Sequence, residues 1–216
     1  MRLRLGGVRR AVVVAPHPDD EVIGAAGLIG ALRARGCEVR VIVVSDGAAS
    51  HPGSRSWPKA RLVAARRRES LCALRRLSIT SSKVRFLGLP DGALTVHGKE
   101  CRRKLRQALV QMDADVIVAP ALSDAHPDHQ EVAAALAVRC GRARRLSYQV
   151  WPPRHRRGAR TQTLVAPGGA ARKRSLIRVH RTQLGVITDD PSGFAIAPHE
   201  LALFARPIEC FREERP

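Results

Sequence analysis

Ala11-Val12-Val13-Val14-Ala15-Pro16-His17-Pro18-Asp19-Asp20-Glu21 decides how this chain folds. An apolar run without polar alternation reads as a strand covered on both faces, the pattern of a parallel sheet between helical layers. The strand is assigned to Val12–Ala15, and Pro16 and Pro18 end it. From Val22 to Arg35 the apolar residues recur at helical spacing until Gly36, a residue suited to helix ends. A buried strand running through a short polar turn into a helix is the opening half of a βα unit.

The same alternation continues outward. Val39–Val44 reads as a second strand. Lys59–Leu77 has helical spacing, with Leu62, Ala65, Leu71 and Leu74 on or near one face. Val84–Leu87 is a third strand, Glu100–Met112 a helix, Val116–Ala119 a fourth strand and His129–Cys140 a helix. Strands alternating with helices predict an α/β fold: a mostly parallel sheet with helices on both faces. The 216 residues suit a single domain over 1–216. Trp151–Ala171 carries Pro152-Pro153, Gly158, Pro167 and Gly168-Gly169, and is expected to be a surface loop. Arg172–Gln183 is a candidate late helix, and Leu201–Phe211 a candidate final strand.

Composition narrows the class. Hydrophobic residues at 44% predict a packed core, and aromatics at only 3% require that core to be built from Val, Leu, Ile and Ala. The five cysteines show no finger spacing and no disulfide framework, so they read as reduced and mostly buried. No stretch reaches the roughly 18 apolar residues of a membrane helix. The run Ala11–Ala15 is shorter than the about 7–15 residues of a signal-peptide core. A cytoplasmic location is therefore expected.

The formal charge is +19. A basic protein of this kind invites a nucleic-acid reading. The charge is dispersed, however, and few aromatics interleave with it to stack on bases, which argues against that partner. Arg154, Arg156 and Arg157 in the expected loop suggest an acidic or phosphate-bearing substrate instead.

The chemically versatile residues follow predicted strands: His17, Asp19 and Asp20 after the first, Ser45 and Asp46 after the second, Asp91 after the third, His126 and His129 after the fourth. In an open parallel sheet the carboxyl ends of the strands line the ligand crevice. Three carboxylates and an imidazole within Pro16–Glu21 repel unless positive charge compensates. A helix N-terminus gives some of that charge and a divalent cation more. With His126-Pro127-Asp128-His129, the chain offers one carboxylate and two imidazoles to a metal, a set suited to catalytic zinc.

Those two motifs together resemble the signature of the LmbE-like, or PIG-L, deacetylase family. Ser45-Asp46-Gly47, Arg66 with Glu69, Leu87-Gly88-Leu89-Pro90-Asp91-Gly92 and His180-Arg181-Thr182-Gln183 extend the resemblance in order along most of the chain. The resemblance implies a Rossmann-like fold and zinc-dependent removal of an N-acetyl group from an N-acetylglucosamine-type conjugate. It implies metal ligands His17, Asp20 and His129, with iron(II) or cobalt(II) as other occupants of such a set. It also implies Asp19 as general base and His126 as acid and oxyanion stabiliser. Asp128 is then expected to accept a hydrogen bond from His126, or else to cap its helix.

Arg66 and Asp91 are expected to touch substrate, or else to form structural ion pairs. Glu21 either caps its helix or orders the site. His180 reads as structural, and His51, His97, His155 and His199 as surface or loop residues. Trp57 and Trp151 are candidates for a sugar-binding rim or for plain packing. The rival functions are an amidase acting on a thiol-sugar, lipid-linked or antibiotic amino-sugar conjugate, and a basic binding protein without turnover.

Overall fold

A computed structural model describes residues 1–137, 143–153 and 161–214. Seven strands and six α-helices are defined among them: β1 (Arg10–Ala15), α1 (Asp20–Ala34), β2 (Glu38–Ser45), α2 (Lys59–Arg76), β3 (Val84–Leu89), α3 (Gly98–Val110), β4 (Val116–Pro120), α4 (Pro127–Ala137), β5 (Arg144–Tyr148), β6 (Thr161–Val165), α5 (Gly169–Ile177), α6 (Pro198–Phe204) and β7 (Ile208–Glu214). One sheet holds all seven strands in the order β3-β2-β1-β4-β5-β7-β6. The first five run parallel, and β7 is antiparallel to both β5 and β6. The expected α/β architecture, mostly parallel and Rossmann-like, is what the chain adopts.

The strand period explains the layering. Ala11, Val13 and Ala15 point into one buried cluster with α1, α5 and α6, while Val12 and Val14 point into another with α3 and α4. Both faces of β1 are thus covered, so its sequence need not alternate. On α1, Val22, Leu28, Ile29 and Leu32 are fully buried, each contributing about 1.5–3 kcal/mol of burial. Gly24 lets α1 approach Tyr148, since a Cβ there would overlap the phenol ring. The buried Tyr148 hydroxyl donates to the Val14 carbonyl at 2.9 Å, so the residue on which the first turns of α1 pack links β5 to β1 across β4.

The order reverses between β1 and β4, which sit side by side although their connections leave in opposite directions. Ligand crevices open at such a point, beyond the strand carboxyl ends. His17 lies just past β1, and His126 and His129 lie past β4.

The C-terminal third departs from the sequence expectation. Within Trp151–Ala171, β6 occupies Thr161–Val165 and α5 already begins at Gly169; His155 and the arginines at 154, 156 and 157 lie outside the described residues. The proline and glycine punctuation masks a five-residue edge strand whose alternate residues Gln162 and Leu164 are buried. The late helix runs over Gly169–Ile177 rather than Arg172–Gln183, because Gly168 at φ 80° caps it earlier. The tail divides into α6 and β7 around Pro207. The α4 helix is described as far as Ala137, so Cys140 is not included; of the other cysteines Cys37 and Cys101 are buried and Cys72 is exposed. No described helix is long and apolar enough to cross a membrane.

Candidate metal centre and active site

The turn after β1 is set locally. Asp20 begins α1, and its Oδ2 accepts the His17 backbone N–H at 2.9 Å. This folds the side chains of residues 17 and 20 toward each other. The helix α4 starts at Pro127, a residue preset for a first helical turn, and this brings His129 over the same point. His17 Nδ1 lies 3.1 Å from Asp20 Oδ2 and 3.2 Å from His129 Nε2, and His129 Nε2 lies 3.1 Å from Asp20 Oδ2.

This near-equilateral triangle fits a small cation. Atoms held by one tetrahedral zinc at about 2.0–2.2 Å are roughly 3.3–3.6 Å apart, so the triangle would open by only a few tenths of an ångström. The electrostatics agree. Burial pulls the His129 imidazole down, but Asp20 and Asp124 lift its pKa to about 9. Burial would raise Asp20, yet His129 and His17 hold it well below the usual carboxylate range. The surroundings favour positive charge at this point. A His126 ring nitrogen also comes within 4.8 Å of nitrogens of His17 and His129.

The outer partners differ from those expected. Asp128 does not accept from His126. Its Oδ2 takes the Gly92 N–H at 2.8 Å and its Oδ1 the Leu94 N–H at 3.0 Å, which turns the carboxylate into the β3–α3 loop. His126 Nδ1 instead accepts the Asp128 backbone N–H at 3.1 Å. Asp128 Oδ2 and Asp91 Oδ1 both face His17 Nε2, at 3.3 and 3.1 Å. Asp91 also accepts from the Ala49 N–H at 2.9 Å. Both aspartates therefore orient a proposed ligand, as outer partners of metal-bound imidazoles commonly do.

Arg66 is equally committed to protein groups. It is 3% exposed, and it donates to the Gly47 carbonyl at 2.9 Å and to Asp19 Oδ2 at 3.2 Å. Gly47 has φ 73°, and a Cβ there would press on the guanidinium. Of the adjacent arginines, Arg67 stacks over Phe86 and Arg68 is exposed. Burial lifts the Asp19 carboxyl to about 6, against the opposing pull of Arg66. Glu21 is fully buried and orders the site: it accepts the Asp19 N–H at 3.1 Å and the Ser70 hydroxyl. Burial, partly offset by Ser70, raises it to about 8.

Sequence reasoning missed Asp124. Its buried carboxylate faces His129 Nδ1 at 3.3 Å and accepts the N–H groups of His126, Val150 and Trp151. The available signal was its place just past β4, five residues before His129. His51, expected at the surface or in a loop, lies in a loop but is 3% exposed, because the 189–194 segment folds over it and Gly193 packs on its ring. His97 is half-buried and His199 exposed. His180 is buried with neither ring nitrogen hydrogen-bonded. Burial first, then Arg66, lowers its pKa to about 3.

A cavity of about 380 Å³ opens onto the centre and is lined by His17, Asp19, Asp20, Asp91 and His126 on one side and Trp151, Phe194, Ile196 and Glu200 on the other. Trp151 packs edge-on against Phe204 and Phe194, with ring centroids at 5.2 and 6.0 Å. Trp57 is not in this wall; it lies under the Arg61 guanidinium.

Residues 12–140 match the family model described as PIG-L: GlcNAc-PI de-N-acetylase. A 2'-N-acetylparomamine deacetylase of Streptomyces fradiae is 30% identical over 146 residues, 59% of this chain and 50% of that protein; the chain spans about half the length of this curated relative. Among solved structures, N,N'-diacetylchitobiose deacetylase from Pyrococcus horikoshii superposes with a TM-score of 0.75 at 23% identity, covering 96% of this chain and 84% of that one. A 4-carboxy-2-hydroxymuconate hydratase from Pseudomonas putida superposes with a TM-score of 0.71 at 16% identity, covering 96% and 97%. At those identities the likeness is one of fold, and the fold hosts more than one reaction.

Proposed function

The chain belongs to the PIG-L de-N-acetylase family, and on that premise we propose that it is a metal-dependent hydrolase that removes the N-acetyl group of an amino-sugar conjugate, releasing acetate and a free amine. The observation that carries this reading is the triangle of His17 Nδ1, Asp20 Oδ2 and His129 Nε2 at the floor of a cavity that Asp19 and His126 also line. The N-acetylated amino sugars named for the similar proteins support the substrate class.

His17, Asp20 and His129 would hold the ion, with Asp91, Asp128 and Asp124 behind the two imidazoles. Two imidazoles and a carboxylate suit zinc, and iron(II) or cobalt(II) accept the same donors. A divalent ion bound there supplies Lewis acidity to the amide and water of lowered pKa.

Asp19 is the proton carrier in this reading. Arg66 fixes its Oδ2, and a carboxyl poised near neutrality can take the proton of the attacking water and pass it to the departing amine. His126 acts from its neutral form. Because Nδ1 accepts the Asp128 amide N–H, the ring proton sits on Nε2, which can donate to the oxyanion of the tetrahedral intermediate. Burial, and then positive charge at the point where His17 and His129 meet, keep this imidazole below its ordinary pKa. A standing imidazolium, as the sequence suggested, would set two N–H groups against each other at Nδ1.

The test is acetate release across N-acetyl amino sugars by metal-loaded protein, before and after chelation. Release that stops on chelation and returns with zinc supports the assignment. Protein carrying one metal per chain that frees no acetate from any of them would defeat it.

A further inference from the structure

The chain carries twice as many Lys and Arg as Asp and Glu, 38 against 19. The cavity reverses this. Of the Asp, Glu, Lys and Arg residues, its lining among the described residues holds Asp19, Asp20, Asp91 and Glu200 against a single guanidinium, Arg66, beside the His17 and His126 imidazoles. That guanidinium is within 3.2 Å of Asp19 and 3.8 Å of Asp91, so it offers little to an anionic ligand. Among the described residues, then, the basic excess lies outside this lining, which is acidic and partly aromatic.

Glu200 is the carboxylate in this lining that the metal centre does not use. It stands in the first turn of α6, where Oε2 accepts the Ala197 N–H at 2.8 Å. No Lys, Arg or His nitrogen among the described residues pairs with it. Trp151 and Phe194 line the same wall, and Phe194 is 39% exposed. A carboxylate beside aromatic rings is a recognition site for an ammonium group, which the charge attracts and the ring faces accommodate.

Resting on the deacetylase reading, we propose that the cavity selects N-acetyl amino sugars that already bear a second, free ammonium group, held by Glu200 against the Trp151–Phe194 wall. Such substrates are preferred over neutral and phosphorylated ones. The opposite expectation, of an acidic substrate, rests on Arg154, Arg156 and Arg157, which lie outside the described residues, and the phosphate comparison below tests it.

The experiment compares N,N'-diacetylchitobiose with its two mono-N-acetyl isomers, and N-acetylglucosamine with its 6-phosphate, using zinc-loaded protein. The better mono-acetyl isomer should exceed the diacetyl compound at least ten-fold in kcat/KM, mainly through KM. That ratio should fall several-fold in 0.5 M salt and approach one in Glu200→Gln, which keeps the acceptor for Ala197. The salt arm needs no variant. Equal rates for mono- and diacetyl compounds, or faster release from the phosphate, would overturn the proposal.

Calorimetric binding of fully deacetylated chitobiose to the wild type and to Glu200→Gln separates this from the reaction itself. Salt-sensitive binding that depends on Glu200, with no acetate from any compound, would overturn the deacetylase reading and leave the ammonium site standing. Binding indifferent to Glu200 would overturn the ammonium site alone.

Discussion

Helix α1 touches two buried clusters of charge, and they are built on opposite principles. Midway along it, Glu209 accepts the N–H groups of Gly27 and Leu28 at 2.8 and 2.9 Å and the Lys173 ammonium at 2.7 Å. Every strong acceptor there has its donor, and one cation balances one anion. At the N-terminus of α1, His17 Nδ1 and His129 Nε2 converge with Asp20 Oδ2 on a single point, beside Asp19 and in line with a cavity. Depth of burial is the same. Saturation separates them: a closed ion pair holds elements together, whereas donor atoms gathered on one point make a ligand site.

The comparison breaks most completely if the ligands prove dispensable. His17→Ala is expected to remove bound metal, from one equivalent to none by elemental analysis, and to lower deacetylation by at least about a thousand-fold, since it takes out the metal's whole contribution. Near-normal metal content in this variant would mean that the triangle is not the site. Asp19→Asn tests the neighbour that carries the proton. It should retain metal while turnover falls by about 10²–10⁴, and full activity would reassign the base.

The closed pair should respond in the other currency. Lys173→Met leaves Glu209 buried without its cation, and urea unfolding should show a loss of about 3–5 kcal/mol. Metal content and turnover of the folded fraction should stay as they were. A variant of wild-type stability would show that the pair is not worth its burial.

The smallest effect concerns pH. His180 is neutral in the fold, with a pKa of about 3 against an ordinary 6.5. The unfolded chain therefore binds the extra proton, and stability from this group is fully present above pH 6.5 and declines as pH falls toward 3. Between pH 6.5 and 5 the loss is about 1.5 kcal/mol. His180→Leu should flatten the stability profile across that interval by this amount, whatever it does to the absolute stability. Parallel wild-type and variant profiles would mean that His180 takes up its proton without unfolding.

The first half of the chain was legible because local and global preferences agree there. Unbroken Val and Ile runs make covered strands, and Gly36 ends α1 as its position suggests. The convergence of the three proposed ligands was readable for the same reason: each sits at a strand end or in the first turn of a helix. What lay behind them was not. Asp91 reaches His17 from the loop after β3, two strands away, and Asp128 from the first turn of α4 after the neighbouring β4, a convergence set by sheet order and not by spacing. Asp124 escaped because its place just past β4 was a weak signal for one acid in a polar turn, and its partners Val150 and Trp151 arrive only from beyond β5. The loop position of His51 was legible but its burial was not, because Pro52-Gly53-Ser54 looks exposed until Asp189 and Asp190 anchor a distant loop over it, accepting from Ser54 and Gly53 at 2.6 and 2.8 Å.

That anchoring has a consequence for how the molecule can change. His17, Asp19, Asp20, His126 and His129 all come from the chain before Ala137, but Trp151, Phe194, Ile196 and Glu200 come after it. On the proposed reading, chemistry and selectivity are written in successive stretches that meet only in three dimensions. A chimera that kept the first stretch and took the second from a relative would inherit the reaction and exchange the clientele, provided that the Asp189 and Asp190 latch travelled with the new wall.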